Sequence, residues 1–364
     1  MSNVQPLTNE INQTTEKRET KTKKERVFDF SAFKTRHIAV HLSYVGIGYC
    51  GFASSTLNEA NLTNYQKLQN DNTIEYYLFQ SLFKTKLINS KEDCKYSRCG
   101  RTDKDVSGFG QVIDLWVRSS LKTDIIDYTQ HDGDYDYCRM INSTLPVDIR
   151  CLGWCGVPDD FNSRFSCLSR TYHYYFDPSG YDVEAMKQAA QYFVGEHDFT
   201  NFCKKDPAVD HCNRKVLSFE IEPVTHLSRF VVKGTAFLWH QVRYMVGALF
   251  LVGSGTDPKT IKDLLDVNNF TKPDFFKYAP AYPLVLFKCE YKEVDFVCDS
   301  SNVKLLGDLV DSYKELEIKC LMRKQLVEMA LTQKMGEGKV VKDQMELMKK
   351  KKSELKPKKI TKND

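Results

Sequence analysis

The sequence predicts an α+β protein built around an antiparallel or mixed sheet that carries helices. Two features carry this expectation. Strand-like and helix-like segments are mixed without strict strand–helix alternation, and the one Gly-x-Gly-x-x-Gly run, at 46–51, leads into a polar loop and not directly into a helix, which argues against a doubly wound fold. A length of 364 residues, 41% of them apolar and 12% aromatic, suits a large folded core divided into two subdomains.

The elements follow from local patterning. Residues 37–44 (HIAVHLSY) alternate as a strand, followed by a glycine-punctuated turn at 46–52 and a polar loop at 58–72. Asn72-Thr73-Ile74-Glu75 predicts a capped helix, with Ile74, Leu78 and Leu82 on one face, running to about Ile88. Residues 111–117 predict a strand with alternate positions on one face. Residues 124–136 hold five aspartates and no Lys or Arg, which predicts an exposed acidic insertion. A short helix at 137–143 ends before Pro146, and strands are expected at 149–157 and 170–176. The helix expected over 183–194 is closed by Gly195. Strands at 215–224 and 229–236 precede a buried helix from Leu238 to Gly253, and 284–291 closes the body as a strand. Residues 303–348 predict one or two peripheral helices.

Composition narrows the class. No run of about 18 apolar residues exists and the polar N-terminus lacks a secretory apolar core, so a soluble intracellular protein is expected. The net charge of +4 conceals an asymmetry: residues 17–26 and 349–364 together carry +10 and residues 1–16 carry −2, which leaves the body from Val27 to Met348 at −4. An RNA cleft in that body must be a local basic patch. The lysine-rich tails read as solvated ends, nuclear-import signals or sliding contacts to phosphate. Twelve cysteines without Cys-x-x-Cys spacing read as buried free thiols. Cys151 with Cys155, and His197, Cys203, His211 and Cys212, lack zinc-finger spacing, and no metal is expected there.

The chemistry-bearing stretch is 96–111, YSRCGRTDKDVSGFGQ, where Asp103 stands between Arg101 and Lys104 in a glycine-rich turn. Asp and Gly are ordinary turn residues, so by itself the stretch reads as a hairpin. Alternatively, cations hold Asp103 ionised as a nucleophile or base beside an anionic substrate. Arg243, in an otherwise apolar helix, needs an anionic partner, either a structural acid or Asp103. His240, three residues earlier, lies on a neighbouring helical surface. In 172–175 (YHYY), Tyr172 and Tyr174 share one face; they are core, or one stacks on an extruded base. Arg164 is a phosphate contact or a surface ion pair.

Five blocks, CGRTDKDVSGFGQV (99–112), FNSRFSCLSRTYHYYF (161–176), GEHDFTNFCK (195–204), GTAFLWHQVRYMVG (234–247) and PLVLFKCEY (283–291), together resemble the TruA-type tRNA pseudouridine synthases, in family order, over residues 37–291. The wording is nearest to the eukaryotic branch that acts on positions 38 and 39 of the anticodon stem-loop. The resemblance implies two ferredoxin-like halves sharing one sheet, with a basic cleft between them for tRNA. It implies Asp103 as catalytic residue, Arg101 in nucleotide extrusion, Tyr172 as stacking residue, Arg243 as partner of the carboxylate and Leu286 lining the uracil pocket. It further implies no cofactor or metal, and homodimers are frequent in the family. The expected organisation is a basic tail (1–30), an N-terminal half with the catalytic loop (31–160), a C-terminal half (161–296), peripheral helices (297–348) and a lysine-rich tail (349–364), in the nucleus, the cytoplasm or both. The alternatives are a family member with another tRNA position and a tRNA-binding protein without catalysis. The chain departs from the family pattern at Asp105, where glycine is usual. Aspartate tolerates a left-handed backbone at about 1 kcal/mol, but its carboxylate would repel Asp103 unless it turns to solvent or pairs with Lys104.

Overall fold

The computed structural model describes residues 28–53, 72–122, 133–274, 276–292, 294–297 and 302–333. Most of the tail expected at 1–30, the tail at 349–364, most of the polar loop expected at 58–72 and most of the acidic segment lie outside them. The strands are β1 (Lys34–Tyr44), β2 (Ser97–Arg98), β3 (Ser107–Ser119), β4 (Ile149–Gly156), β5 (Ser169–Phe176), β6 (Gly195–Asp198), β7 (Asn213–Val224), β8 (Leu227–Gly234) and β9 (Leu284–Glu290). The helices are α1 (Ile74–Lys84), α2 (Tyr137–Asn142), α3 (Val183–Ala190), α4 (Gln241–Gly253), α5 (Lys259–Leu265) and α6 (Asn302–Gln333). All nine strands form one sheet in the order β4-β1-β3-β9-β5-β8-β7-β6, with β2 beside β3. Every pairing is antiparallel except β3–β9, which joins the two ends of the sheet through Ser107–Val285 and Gly108–Leu286.

Alternation along β1 sends its side chains to two cores. Ile38, Val40 and Leu42 join Leu78 and Leu82 of α1, Ile141 of α2 and Ile113 and Leu115 of β3 in one cluster. Ala39 belongs instead to a small central cluster with Val112, Leu286 and four cysteines. At the other end of the sheet, α3, α4 and α5 bury Met186, Ala190, Met245, Leu249 and Ile261 against Tyr174, Phe219 and Phe230. The aromatics of β5 divide as the alternation predicts: Tyr174 and Phe176 enter this core, whereas His173 stacks on Phe287 at 3.8 Å. Among the described residues no helix is long and apolar enough to cross a membrane.

Several boundaries differ from expectation for local reasons. The α1 cap is Thr73, whose hydroxyl accepts from Tyr76 N at 3.3 Å, while Asn72 bonds Gly48 O. The 183–194 helix tightens into a 3-10 turn at Gln191–Phe193, and Gly195 opens β6, a strand too short to show alternation. Asp134 is not part of an exposed insertion. Its carboxylate is buried, 3.3 Å from Arg36, and accepts from Ser119, Ser120 and Tyr137; burial pushes its pKa up, but these bonds outweigh it and hold it below the usual value. Order begins before residue 31, because Phe28 and Phe33 pack with Tyr135 around the Arg118 guanidinium.

Candidate active site

The loop between β2 and β3 is fixed from several sides. Arg98 bonds the buried Glu75 of α1 at 2.5 Å, Cys99 N donates to Val112 O and the buried Gln111 amide donates to Gly100 O. The Tyr44 and Thr102 hydroxyls are 2.9 Å apart, and Phe52 N donates to Thr102 O. The 46–52 turn lies directly over the loop. Gly51, at φ 101°, passes so close that a Cβ there would stand 2.9 Å from Thr102 O.

Asp103 sits at the tip of this loop and α4 supplies its partners. Arg243 Nη1 donates to Asp103 Oδ2 at 2.9 Å, and its Nε donates to Ala279 O at 2.9 Å. The Tyr278 ring covers the guanidinium at 4.4 Å. His240 Nε2 is 3.2 Å from the same carboxylate oxygen. Burial would raise the Asp103 carboxyl, but the hydrogen bonds and charge of His240 and Arg243 outweigh it and hold the pKa below the usual value. The group is therefore an anion at neutral pH. With side-chain exposures of 24% for Asp103 and 9% for Arg243, the carboxylate remains open to a substrate while its counter-ion does not.

His240 is not on the helix surface. Its φ of 63° places it just before α4, which begins at Gln241 and not at Leu238, because the left-handed residue breaks the helical run. That turn aims the ring at Asp103. The Asp105 conflict is resolved by backbone geometry: at φ 64° the side chain turns back to accept from Gly48 N at 2.9 Å, so it pairs with neither Lys104 nor solvent alone.

The remaining sequence candidates gather around this centre. Leu286 of β9 pairs with Gly108 at the start of β3 and with Tyr172 of β5, so the tyrosine and the buried leucine lie side by side next to the loop. The Tyr172 ring meets Phe237 edge-on at 5.2 Å. Arg101 is exposed, and partial burial together with the cations of Arg98 and Arg164 pulls it below its ordinary value, which marks a local basic patch on a body of negative net charge. Arg164 is exposed beside Phe165.

Sequence reading missed Arg170. Its guanidinium donates to Thr235 O, Cys99 O and Arg164 O, tying the loop stem to the turn before β5 and to the end of β8. The signal was a cation inside a strand of aromatic residues. Tyr44 and Tyr278 were missed too, because their contacts come from distant segments.

A carboxylate held ionised and directed by a buried arginine, beside a tyrosine and an exposed basic patch, is the arrangement expected of the family whose blocks the sequence carries. Residues 189–292 match the family model described as tRNA pseudouridine synthase. A Caenorhabditis elegans protein named probable tRNA pseudouridine synthase is 35% identical over 301 residues, covering 76% of this chain and 72% of that protein. The chain belongs to the tRNA pseudouridine synthase family. A Methanosphaera stadtmanae tRNA pseudouridine synthase A is 31% identical over 272 residues, which span 72% of this chain and 86% of that enzyme. A Bos taurus protein named tRNA pseudouridine(38/39) synthase is 39% identical over 303 residues, and the match spans 76% of this chain but 60% of that protein's length.

Proposed function

We propose that the protein isomerises uridine to pseudouridine in the anticodon stem-loop of tRNA, at positions 38 and 39, with Asp103 as nucleophile or base. The observation that carries this reading is the Asp103 carboxylate held 2.9 Å from Arg243 and 3.2 Å from His240 at the tip of an exposed loop. The reaction breaks the N1–C1′ bond, turns the uracil and rejoins it through C5, with loss of the C5 proton. An ionised Asp103 either attacks C1′ or takes the 2′ proton; both roles need the anion that Arg243 and His240 maintain. Arg101 takes part in extruding the target nucleotide, Arg164 contacts phosphate, Tyr172 stacks on the extruded base, and Leu286 lines the uracil pocket. Residues 31–160 and 161–296 act as two ferredoxin-like halves that meet at β3 and β9, the protein works as a homodimer, and it resides in the nucleus, the cytoplasm or both.

Tritium release from tRNA carrying 5-tritiated uridine tests the activity. Asp103→Asn should lower release by about 10³-fold or more while tRNA binding persists. Absence of release by the wild-type chain with tRNA binding intact would make it a binding protein. Pseudouridine mapped outside positions 38 and 39 would overturn the substrate assignment.

A further inference from the structure

Three thiols from separate parts of the chain converge beneath the catalytic loop. Cys99 ends the stem of the Asp103 loop, Cys167 lies in the turn before β5, and Cys289 lies in β9. All three are buried, and their sulfurs lie within 4.8 Å of one another. Among the described residues they form the one group of three such donors that close together. We propose that Cys99, Cys167 and Cys289 form a three-sulfur site for a thiophilic d10 cation, zinc or monovalent copper, which fastens the stem of the catalytic loop to β9 and to the turn before β5.

The chemistry of the setting suits such an ion. Metal–thiolate bonds of about 2.3 Å at tetrahedral angles separate sulfurs by about 3.8 Å, so closure needs shifts of about an ångström or less. Soft sulfur donors select zinc and monovalent copper over hard cations. The trio sits among Ala39, Val112, Val157 and Leu286, a dry setting in which thiolates require compensation. The Arg170 cation provides it, since its guanidinium donates to Cys99 O at 3.2 Å and to Cys167 O at 3.5 Å and so stands beside the trio. Three thiolates, a divalent ion and Arg170 sum to zero charge. A monovalent ion would need no fourth ligand. The site is separate from the reacting carboxylate, so the ion is structural and no step of the isomerisation passes through it.

Titrating the reduced, metal-free full-length chain with Cd2+ and, in a separate arm, with Cu+ under anaerobic conditions tests the proposal by sulfur-to-metal absorption. We expect saturation at one equivalent in at least one arm, with a rise in melting temperature; which arm responds identifies the ion class. Cys289→Ser and Cys167→Ser should each weaken binding by at least about tenfold. Cys50→Ser with Cys320→Ser, which removes the two exposed thiols among the described residues, should leave it unchanged, as should Cys138→Ser, which breaks a separate thiol pair at 3.2 Å. No absorption at one equivalent in either arm on the wild-type chain would overturn the proposal even if the serine variants failed to fold. Absorption that survives Cys289→Ser in a folded chain, or disappears with the exposed thiols, would overturn it equally.

Discussion

At the scale of single residues, Asp105 shows how a departure from a motif is absorbed. A left-handed aspartate costs about 1 kcal/mol relative to glycine, and its bond to Gly48 N returns about the same. Asp105→Gly is therefore expected to change stability by less than about 1 kcal/mol and to leave turnover near wild type. Asp105→Ala keeps the strain and loses the bond, so it should destabilise by about 1–2 kcal/mol. Chemical denaturation of both variants checks the difference; no loss of stability in Asp105→Ala would show that the Gly48 bond has no role. Asp103 and Arg243 were legible in the sequence because one is charged in a glycine turn and the other is charged in an apolar helix. The backbone twist that aims His240 was not legible, since histidine before a helix carries no conformational signature.

At the scale of elements, segments with a clear pattern were read from the sequence, down to the six residues of α2, and the shortest strands were not. Helix α4 and strands β1 and β5 announce themselves by pattern, whereas β2 and β6 are too short to alternate and exist through their partners. The join of β5, β8 and β9 illustrates the tertiary information that patterning lacks. Glu290 accepts from Ser169 at 2.5 Å and pairs with Lys233 at 2.5 Å and Lys288 at 3.2 Å. Lys233 foremost, then Ser169, brings its pKa down to about 2. A depressed folded-state pKa means that the stabilisation is complete above the unfolded value near 4.5 and drains away as pH falls towards 2. Lys233→Met should flatten the fall in melting temperature over that window, and an unchanged slope would show that the join contributes nothing. Partial exposure keeps the expected effect at neutral pH small.

At the scale of the whole molecule, the two ends of the sheet meet along one short parallel seam, and Asp103 and Arg243 lie on opposite sides of it. The seam admits no side chain at Gly110, where a Cβ would stand 2.4 Å from Phe287 O and 2.7 Å from Lys288 Cα. Gly110→Ala must push backbone apart, and a loss of about 2–4 kcal/mol is expected with a larger fall in turnover than other destabilised variants show. Denaturant midpoints read beside kinetics decide this, and wild-type turnover would mean that the seam does not position the site. The sequence blocks lie on both sides of the seam, yet the seam itself was not legible, because a pairing of two residues leaves no periodicity. The seam also imposes an order in time. Asp103 and Arg243 are 140 residues apart, so during synthesis at about 5–20 residues per second the carboxylate leaves the ribosome about 7–28 seconds before its counter-ion. β9 is made later still, and the nascent chain gains a competent centre only when that last strand docks.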